Sequence, residues 1–285
     1  MEELISKAAT LLEALPYIQR FRSQIFVVKY GGSFMDSDDP EVRHRVARDI
    51  VFLETVGINP VVVHGGGKAI TRALETAGLK ARFVQGQRVT DVATMEIVER
   101  VLSREINVEV VKAIEDFGGR ARGFAGSEIF RCQKFACDDW DLGFVGQVVD
   151  VNLDPLRECI RRSVTPVISP TARGDEGIYN CNADIAAAKT AVALKARRLV
   201  FMSDVPGLLR DPKDDSTLMR HLRVEEVPEL KRSGAISTGM LPKVDSAIAA
   251  IESGVEKVQF VDGRIPHSML LEIFTDAGVG TEVVR

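Results

Sequence analysis

Short apolar runs separated by long amphipathic stretches are what most constrain the fold open to this chain. Ile25-Phe26-Val27-Val28, Pro60-Val61-Val62-Val63, Val164-Thr165-Pro166-Val167-Ile168, Leu199-Val200-Phe201-Met202 and Val258-Gln259-Phe260-Val261 are nearly unbroken in apolar character. Runs of that length and composition read as strands buried on both faces. Between them, helical spacing predicts helices over 41–56, 68–77, 94–117, 184–196, 244–253 and 267–276. Strands that alternate with helices imply a mostly parallel sheet covered on both sides, an open three-layer α-β-α sandwich. Residues 128–150 break the alternation, because two β-like runs flank Asp138-Asp139-Trp140-Asp141 and predict an antiparallel excursion. No internal repeat or low-complexity linker divides the chain, which reads as one α/β unit with two lobes.

The first twenty residues precede any strand. Leu4, Ala8, Leu11, Leu12, Leu15 and Ile18 recur at helical spacing, and Pro16 is expected to kink or end that helix. Periodicity alone describes a helix packed on its own core; its place ahead of the first strand also suits an arm reaching another subunit.

Composition narrows the function. With 37 basic and 41 acidic side chains among 285 residues, the net charge of −4 argues against a nucleic-acid footprint or a basic membrane-binding face. No stretch of 18 apolar residues is available for a membrane span, and the acidic start Met1-Glu2-Glu3 is unlike a secretory signal. Cys132, Cys137, Cys159 and Cys181 form no Cys-x-x-Cys pair, and His44, His64, His221 and His267 are widely scattered, so no metal site is expected. A soluble, reduced, cytoplasmic protein is the expectation.

Ligands of open α/β sheets gather at the C-terminal ends of the strands. Three strand ends here carry unusual residues: Lys29-Tyr30-Gly31-Gly32-Ser33, His64-Gly65-Gly66-Gly67-Lys68 and Ser203-Asp204-Val205-Pro206-Gly207. Glycines let backbone N–H groups approach an anion, and a helix start adds a favourable dipole. Two such loops, one preceded by a lysine, point to a phosphate or other oxyanion. Gly67-Lys68 is followed by Ala69, so it is not a Walker A loop, and Asp116-Phe117-Gly118 lacks the other protein-kinase elements. Asn182 is a plausible helix N-cap before Asp184. Lys243 opens a helix where the dipole disfavours a cation, which marks it as informative.

Six motifs, in order, carry a resemblance that spans nearly the whole chain. They are Lys29-Tyr30-Gly31-Gly32, His64-Gly65-Gly66-Gly67, Gly86-Gln87-Arg88-Val89-Thr90, Asn180-Cys181-Asn182-Ala183-Asp184, Ser203-Asp204-Val205-Pro206-Gly207 and Gly239-Met240-Leu241-Pro242-Lys243. With these the sequence resembles the amino acid kinase family, and within it the members that phosphorylate N-acetyl-L-glutamate. The resemblance implies phosphoryl transfer from ATP to the acceptor's side-chain carboxylate, in arginine synthesis. It implies that Lys29 and Lys243 contact the transferring group from two sides while Asp184 holds both ammonium groups. Gly32, Gly66 and Gly67 would supply backbone donors. Arg88 and Asn180 would grip the α-carboxylate, with Asn182 also in the substrate site. Ser203, Asp204, Gly207 and Gly239 would lie in the nucleotide region, with Mg²⁺ carried by the phosphates and no dedicated protein metal site. The same likeness divides the chain into an arm over 1–22, an acidic-substrate and dimerisation lobe over 23–175, and a nucleotide and effector lobe over 176–285.

The C-terminal stretch from His267 to Thr281 resembles the signature of arginine-inhibited members. That implies a feedback site using Tyr17, His267, Glu272 and Gly278, and an N-terminal helix that interlaces dimers into a hexamer, a trimer of dimers. Some positions depart from the family pattern. Lys68 stands where many members carry proline or a small residue, Val108 where lysine is common, Cys181 in place of an aliphatic residue, and Thr238 where glycine is frequent. The rivals are kinases for related carboxylates, carbamate or UMP, and a non-catalytic arginine sensor; the presence of Lys29, Asp184 and Lys243 speaks against the sensor.

Overall fold

The structure is a computed structural model that describes the chain apart from residues 32–34, 36, 38, 137–139, 212, 235 and 237–239 and the side chains of residues 2–4, 6 and 7. Its first helix, α1 (Glu2–Phe21), continues past Pro16 instead of ending there. Pro16 is exposed, so the carbonyl left without a donor can meet water, and the loss of one hydrogen bond is tolerated.

The alternation expected from the sequence follows. Strand β1 (Ile25–Tyr30), α2 (Pro40–Thr55), β2 (Asn59–His64) and α3 (Gly67–Thr76) lead to a small hairpin, β3 (Phe83–Val84) and β4 (Gln87–Arg88). Gln85 and Gly86, both at positive φ (49° and 78°), form its two-residue turn. The helix expected over 94–117 runs unbroken as α4 (Val92–Glu99), a π-helical segment over Arg100–Ile106 that the sequence did not suggest, and α5 (Asn107–Asp116). Next come β5 (Ala121–Phe124), the single-turn α6 (Gly126–Ile129), β6 (Phe130–Lys134), β7 (Val145–Val151), α7 (Asp154–Arg161), β8 (Thr165–Ile168), β9 (Thr171–Gly174) and β10 (Gly177–Cys181). The last part holds α8 (Ala183–Leu194), β11 (Arg198–Ser203), β12 (His221–Arg223), α9 (Val227–Arg232), α10 (Leu241–Glu252), β13 (Lys257–Asp262), α11 (Ser268–Phe274) and β14 (Thr281–Val284).

The main sheet has the order β12-β14-β13-β11-β1-β2-β8-β5. From β13 to β5 every neighbouring pair is parallel, and β14 joins β13 antiparallel at one edge. Alternate strand residues face opposite layers: Val27, Val61, Val63 and Phe201 pack with α8 and α10, while Phe26, Val28, Val62 and Met202 pack with α2, α4 and α5. The open sandwich is as expected. The excursion over 128–150 is antiparallel as expected, with β6 paired to β7, but it also closes into a small barrel in the order β10-β7-β6-β9, which sequence reasoning missed. Cys132 and Cys181, both buried, come together inside that barrel. None of the described helices is long and apolar enough to cross a membrane.

Gly126 is a point of enforced close approach. A Cβ there would lie 2.0 Å from the Ser169 carbonyl oxygen and 2.1 Å from that of Thr171, whereas one on Gly67 would meet nothing within 4 Å. Gly126→Ala should therefore destabilise the fold by about 2 kcal/mol or more, and Gly67→Ala should leave stability within about 1 kcal/mol of wild type. Urea denaturation checks both, and equal effects would contradict the packing described.

Candidate active site

Local sequence brings three charged side chains to the C-terminal edge of the sheet. Lys29 is the fifth residue of β1, and strand alternation turns it to the α8 side. Asn182 caps α8, its Oδ1 accepting the N–H groups of Asp184 (2.8 Å) and Ile185 (3.2 Å), which fixes Asp184 in the first turn. Lys243 enters from the first turn of α10, where Pro242 suits the helix start. Helix α8 is alanine-rich, and Ala186, Ala187 and Ala191 are fully buried. Such small side chains let it pass close to both β1 and α10, so lysines from two elements reach one carboxylate.

The ion pairs are short: Lys29 Nζ lies 3.1 Å from Asp184 Oδ1, and Lys243 Nζ lies 2.5 Å from Oδ2. Burial alone would raise the Asp184 carboxyl, but the Lys29 and Lys243 ammonium groups outweigh it and hold the group below its ordinary range. Burial pulls Lys243 down, helped by repulsion from Lys29 and opposed by Asp184 and Asp204. Two cations around one carboxylate leave a net positive centre that suits an incoming anion. The glycine loops converge on it, since a Cβ on Gly31 would lie 2.3 Å from Lys29 Nζ and one on Gly65 3.6 Å from Gly31 Cα.

The second loop is braced from below. His64 is fully buried, its Nδ1–H donating to the Gly65 carbonyl (2.8 Å) while Nε2 accepts from Asn107 Nδ2 (3.2 Å). Burial pushes the imidazole down to about 4, so it is neutral at physiological pH. Asn107 also donates to the Val167 carbonyl at 3.0 Å, tying the loop to β8. Leu102 and Ile106 of the π-helical segment crowd the Cβ position of Gly66 at 2.7 and 2.5 Å. Gly66 stands at the N-cap position of α3, with Gly67 beginning the helix. Sequence reasoning missed the His64–Asn107 brace; a buried asparagine inside an apolar helix was its one local sign.

Arg88 is buried against the same helix. Its Nη2 donates to the Gly67 carbonyl (2.8 Å) and Thr71 Oγ1 (3.0 Å), and the guanidinium lies over the Phe83 ring. Thr90 Oγ1 donates to the Arg88 carbonyl (2.8 Å) and accepts from Asn180 Nδ2 (3.2 Å), so Arg88 and Asn180 are joined through Thr90. Beside Arg88 opens a cavity of about 530 Å³.

In the expected nucleotide region, Ser203 ends β11 with a buried hydroxyl that has no hydrogen-bond partner among the described residues, and Asp204 lies close enough to Lys243 to favour its charged form. Gly207, at φ 146°, packs on β14, where a Cβ would lie 2.5 Å from Thr281 Oγ1. Gly32 and Gly239, expected in the substrate and nucleotide sites, lie outside the described residues, as does Thr238. Among the described residues no three His, Cys, Asp or Glu side chains converge as metal ligands.

Three of the four residues expected at a regulatory site, Tyr17, Glu272 and Gly278, lie where α1 meets α11 and the turn after it. Tyr17 donates to Asp276, and buried Glu272 accepts from Gln259 Nε2 (2.9 Å) and the N–H groups of Val279 (2.7 Å) and Gly280 (2.9 Å). Gly278 turns at φ 59°, and its carbonyl accepts from Arg220 Nη1 at 3.0 Å, a contact the sequence did not suggest. His267 stands apart from that cluster, bonded to buried Asp49 of α2 at 2.7 Å. Burial pushes the Asp49 carboxyl up to about 6, against the pull of His267. A carboxyl raised on folding retains a proton that the unfolded chain releases, so its stabilising contribution is present at low pH and lost as pH rises through about 6. Between about pH 4 and 7 the stability of Asp49→Asn should therefore gain on wild type by roughly 3 kcal/mol. Parallel pH profiles in chemical denaturation would contradict this.

The model of the amino acid kinase family matches residues 24–262. The acetylglutamate kinase of Akkermansia muciniphila is 46% identical over 99% of this chain and 97% of its own length. That of Heliobacterium modesticaldum is 45% identical over 100% of both. Among solved structures, the N-acetylglutamate synthase of Neisseria gonorrhoeae with coenzyme A and N-acetyl-glutamate superposes with a TM-score of 0.86 at 24% identity, over 98% of this chain and 63% of that one. The same synthase with coenzyme A and L-arginine gives 0.81 at 26% identity, over 97% and 65%. The chain thus spans somewhat less than two thirds of the synthase's length. At this identity over its full length, the chain belongs to the amino acid kinase family, among its acetylglutamate kinases.

Proposed function

We propose that the protein transfers the γ-phosphoryl group of ATP to the side-chain carboxylate of N-acetyl-L-glutamate, a step of arginine biosynthesis. The observation that carries this reading is the Lys29–Asp184–Lys243 cluster at the meeting point of two glycine loops. A carboxylate is already ionised at neutral pH, so the acceptor needs no general base. Its oxygen forms the new bond to phosphorus as the bond to ADP breaks, giving an acyl phosphate. The obstacle is electrostatic, because two anions must meet and the charge of the transferring group must be met by fixed donors.

Lys29 and Lys243 supply those charges from two sides. Asp184 keeps both ammonium groups aimed. The N–H groups of Gly66 and Gly67, at the start of α3, add backbone donors. Arg88 and Asn180, joined through Thr90, hold the α-carboxylate, with Asn182 setting the start of α8 beside them. Ser203, Asp204 and Gly207 line the approach of the nucleotide, and Mg²⁺ on the phosphates neutralises further charge there. Such an enzyme works in the cytoplasm, where ATP is supplied.

Lys29→Ala and Lys243→Ala should each lower kcat by about two to three orders of magnitude. A hydroxamate assay for the acyl phosphate, with circular dichroism to verify folding, reads this out. Near-normal turnover in either folded variant would remove that lysine from the mechanism.

Feedback inhibition by L-arginine belongs to the same reading. Its support is the buried Glu272 carboxylate beside the Gly278 turn and the Tyr17–Asp276 bond that ties α1 to this region. The synthase neighbour has been solved with L-arginine. On α1, Leu11 and Leu12 are 72% and 67% exposed, apolar surface suited to a second copy of the helix in a hexamer of three dimers. Millimolar arginine should depress turnover, and removing residues 1–22 should yield dimers that arginine no longer inhibits. Light scattering and the same assay test this; arginine-insensitive wild type would overturn it while leaving the catalytic reading intact.

A further inference from the structure

Lys68 stands where a cation is poorly tolerated. It lies in the first turn of α3, at the positive end of the helix dipole, and one turn ahead of like-charged Arg72. It is exposed and forms no ion pair among the described residues. Lys68, Arg72 and Arg88 line one open cavity of about 530 Å³ together with Gly67, Thr71 and Phe83, and no acidic side chain lines it. Arg88 is only 7% exposed, and while its Nη2 is engaged by Gly67 and Thr71, its Nη1 is buried without a hydrogen-bond partner among the described residues. Lys68, the Arg88 guanidinium and its unused buried donor around one cavity make a site for an anionic group.

The position of this cavity identifies which anion. A Cβ on Gly65 would lie 3.9 Å from Lys29 Nζ, and the Gly67 carbonyl is 2.8 Å from Arg88 Nη2. Three consecutive residues span at most about 10 Å, so the loop places two positive centres at a spacing that suits the two ends of a short dicarboxylic acid. One end meets the phosphoryl-transfer cluster and the other meets Arg88 and Lys68.

We propose that Lys68 is a specificity-determining residue, which with Arg88 holds the non-reacting carboxylate of the acceptor and so selects for dicarboxylic substrates. This rests on the kinase reading above. Lys68 acts on acceptor binding, since the reacting oxygen is at the other end of the glycine loop.

Steady-state kinetics of wild type, Lys68→Ala and Lys68→Arg test this with two compounds. One is N-acetyl-L-glutamate; the other is 4-acetamidobutanoate, the same chain without the α-carboxylate, used as acceptor or as competitive inhibitor. Lys68→Ala should raise KM for N-acetyl-L-glutamate about fivefold with kcat within about twofold, and should weaken the salt dependence of kcat/KM. Lys68→Arg should restore most of the affinity, and the constant for 4-acetamidobutanoate should not move. An unchanged KM for N-acetyl-L-glutamate, or an equal loss on both compounds, would overturn the assignment. Wild-type protein that gives no product from N-acetyl-L-glutamate would instead refute the kinase reading, a result seen before any variant is compared.

Discussion

One carboxylate holding two ammonium groups is the interaction on which the rest of the site depends. Without Asp184, Lys29 and Lys243 would face each other with their shared counter-charge gone. The carboxylate in turn relies on the Asn182 cap for its position and on the alanines of α8 for its distance from β1. A bulkier residue at Ala186 or Ala187 would push the helix off the sheet and lengthen both ion pairs at once. Charge placement and core packing are therefore the same problem in this part of the molecule.

The two glycine loops extend that economy. The first follows β1 and the second follows β2, and the hydrogen bond from Gly65 N–H to the Tyr30 carbonyl (2.7 Å) joins the two strand ends where they open. The neutral His64 imidazole and Asn107 take up the backbone groups on the buried side of the second loop. A buried histidine in this role needs to be uncharged, and complete desolvation ensures it.

Much of this was legible in the sequence because it is local. Strand ends, glycine pairs, the Asn182 cap and the misplaced Lys243 can each be read within a few residues, and the apolar runs locate the central strands to within a residue or two. What escaped reading depends on distant partners. The barrel closes only when β6 meets β9, with Arg131 beside Arg173. His64 meets Asn107 across 43 positions, and Arg220 reaches Gly278 across 58. The π-helical segment leaves almost no local trace, because its apolar spacing differs from that of an α-helix by a single residue. Continuation of α1 through Pro16 reflects solvent access to one carbonyl, which depends on how the helix lies against the body.

The β3–β4 hairpin pairs only two residues from each strand, too few to hold its shape in water unaided. Its order is borrowed through Arg88, which fastens it to α3, and through Thr90, which fastens its exit to Asn180. An acid held by that guanidinium, as proposed above, would enter the same set of bonds, so its capture and the ordering of the hairpin would draw on one free energy. Affinity can then be tuned by hairpin residues that never touch the ligand, through the conformational entropy they carry when it is absent.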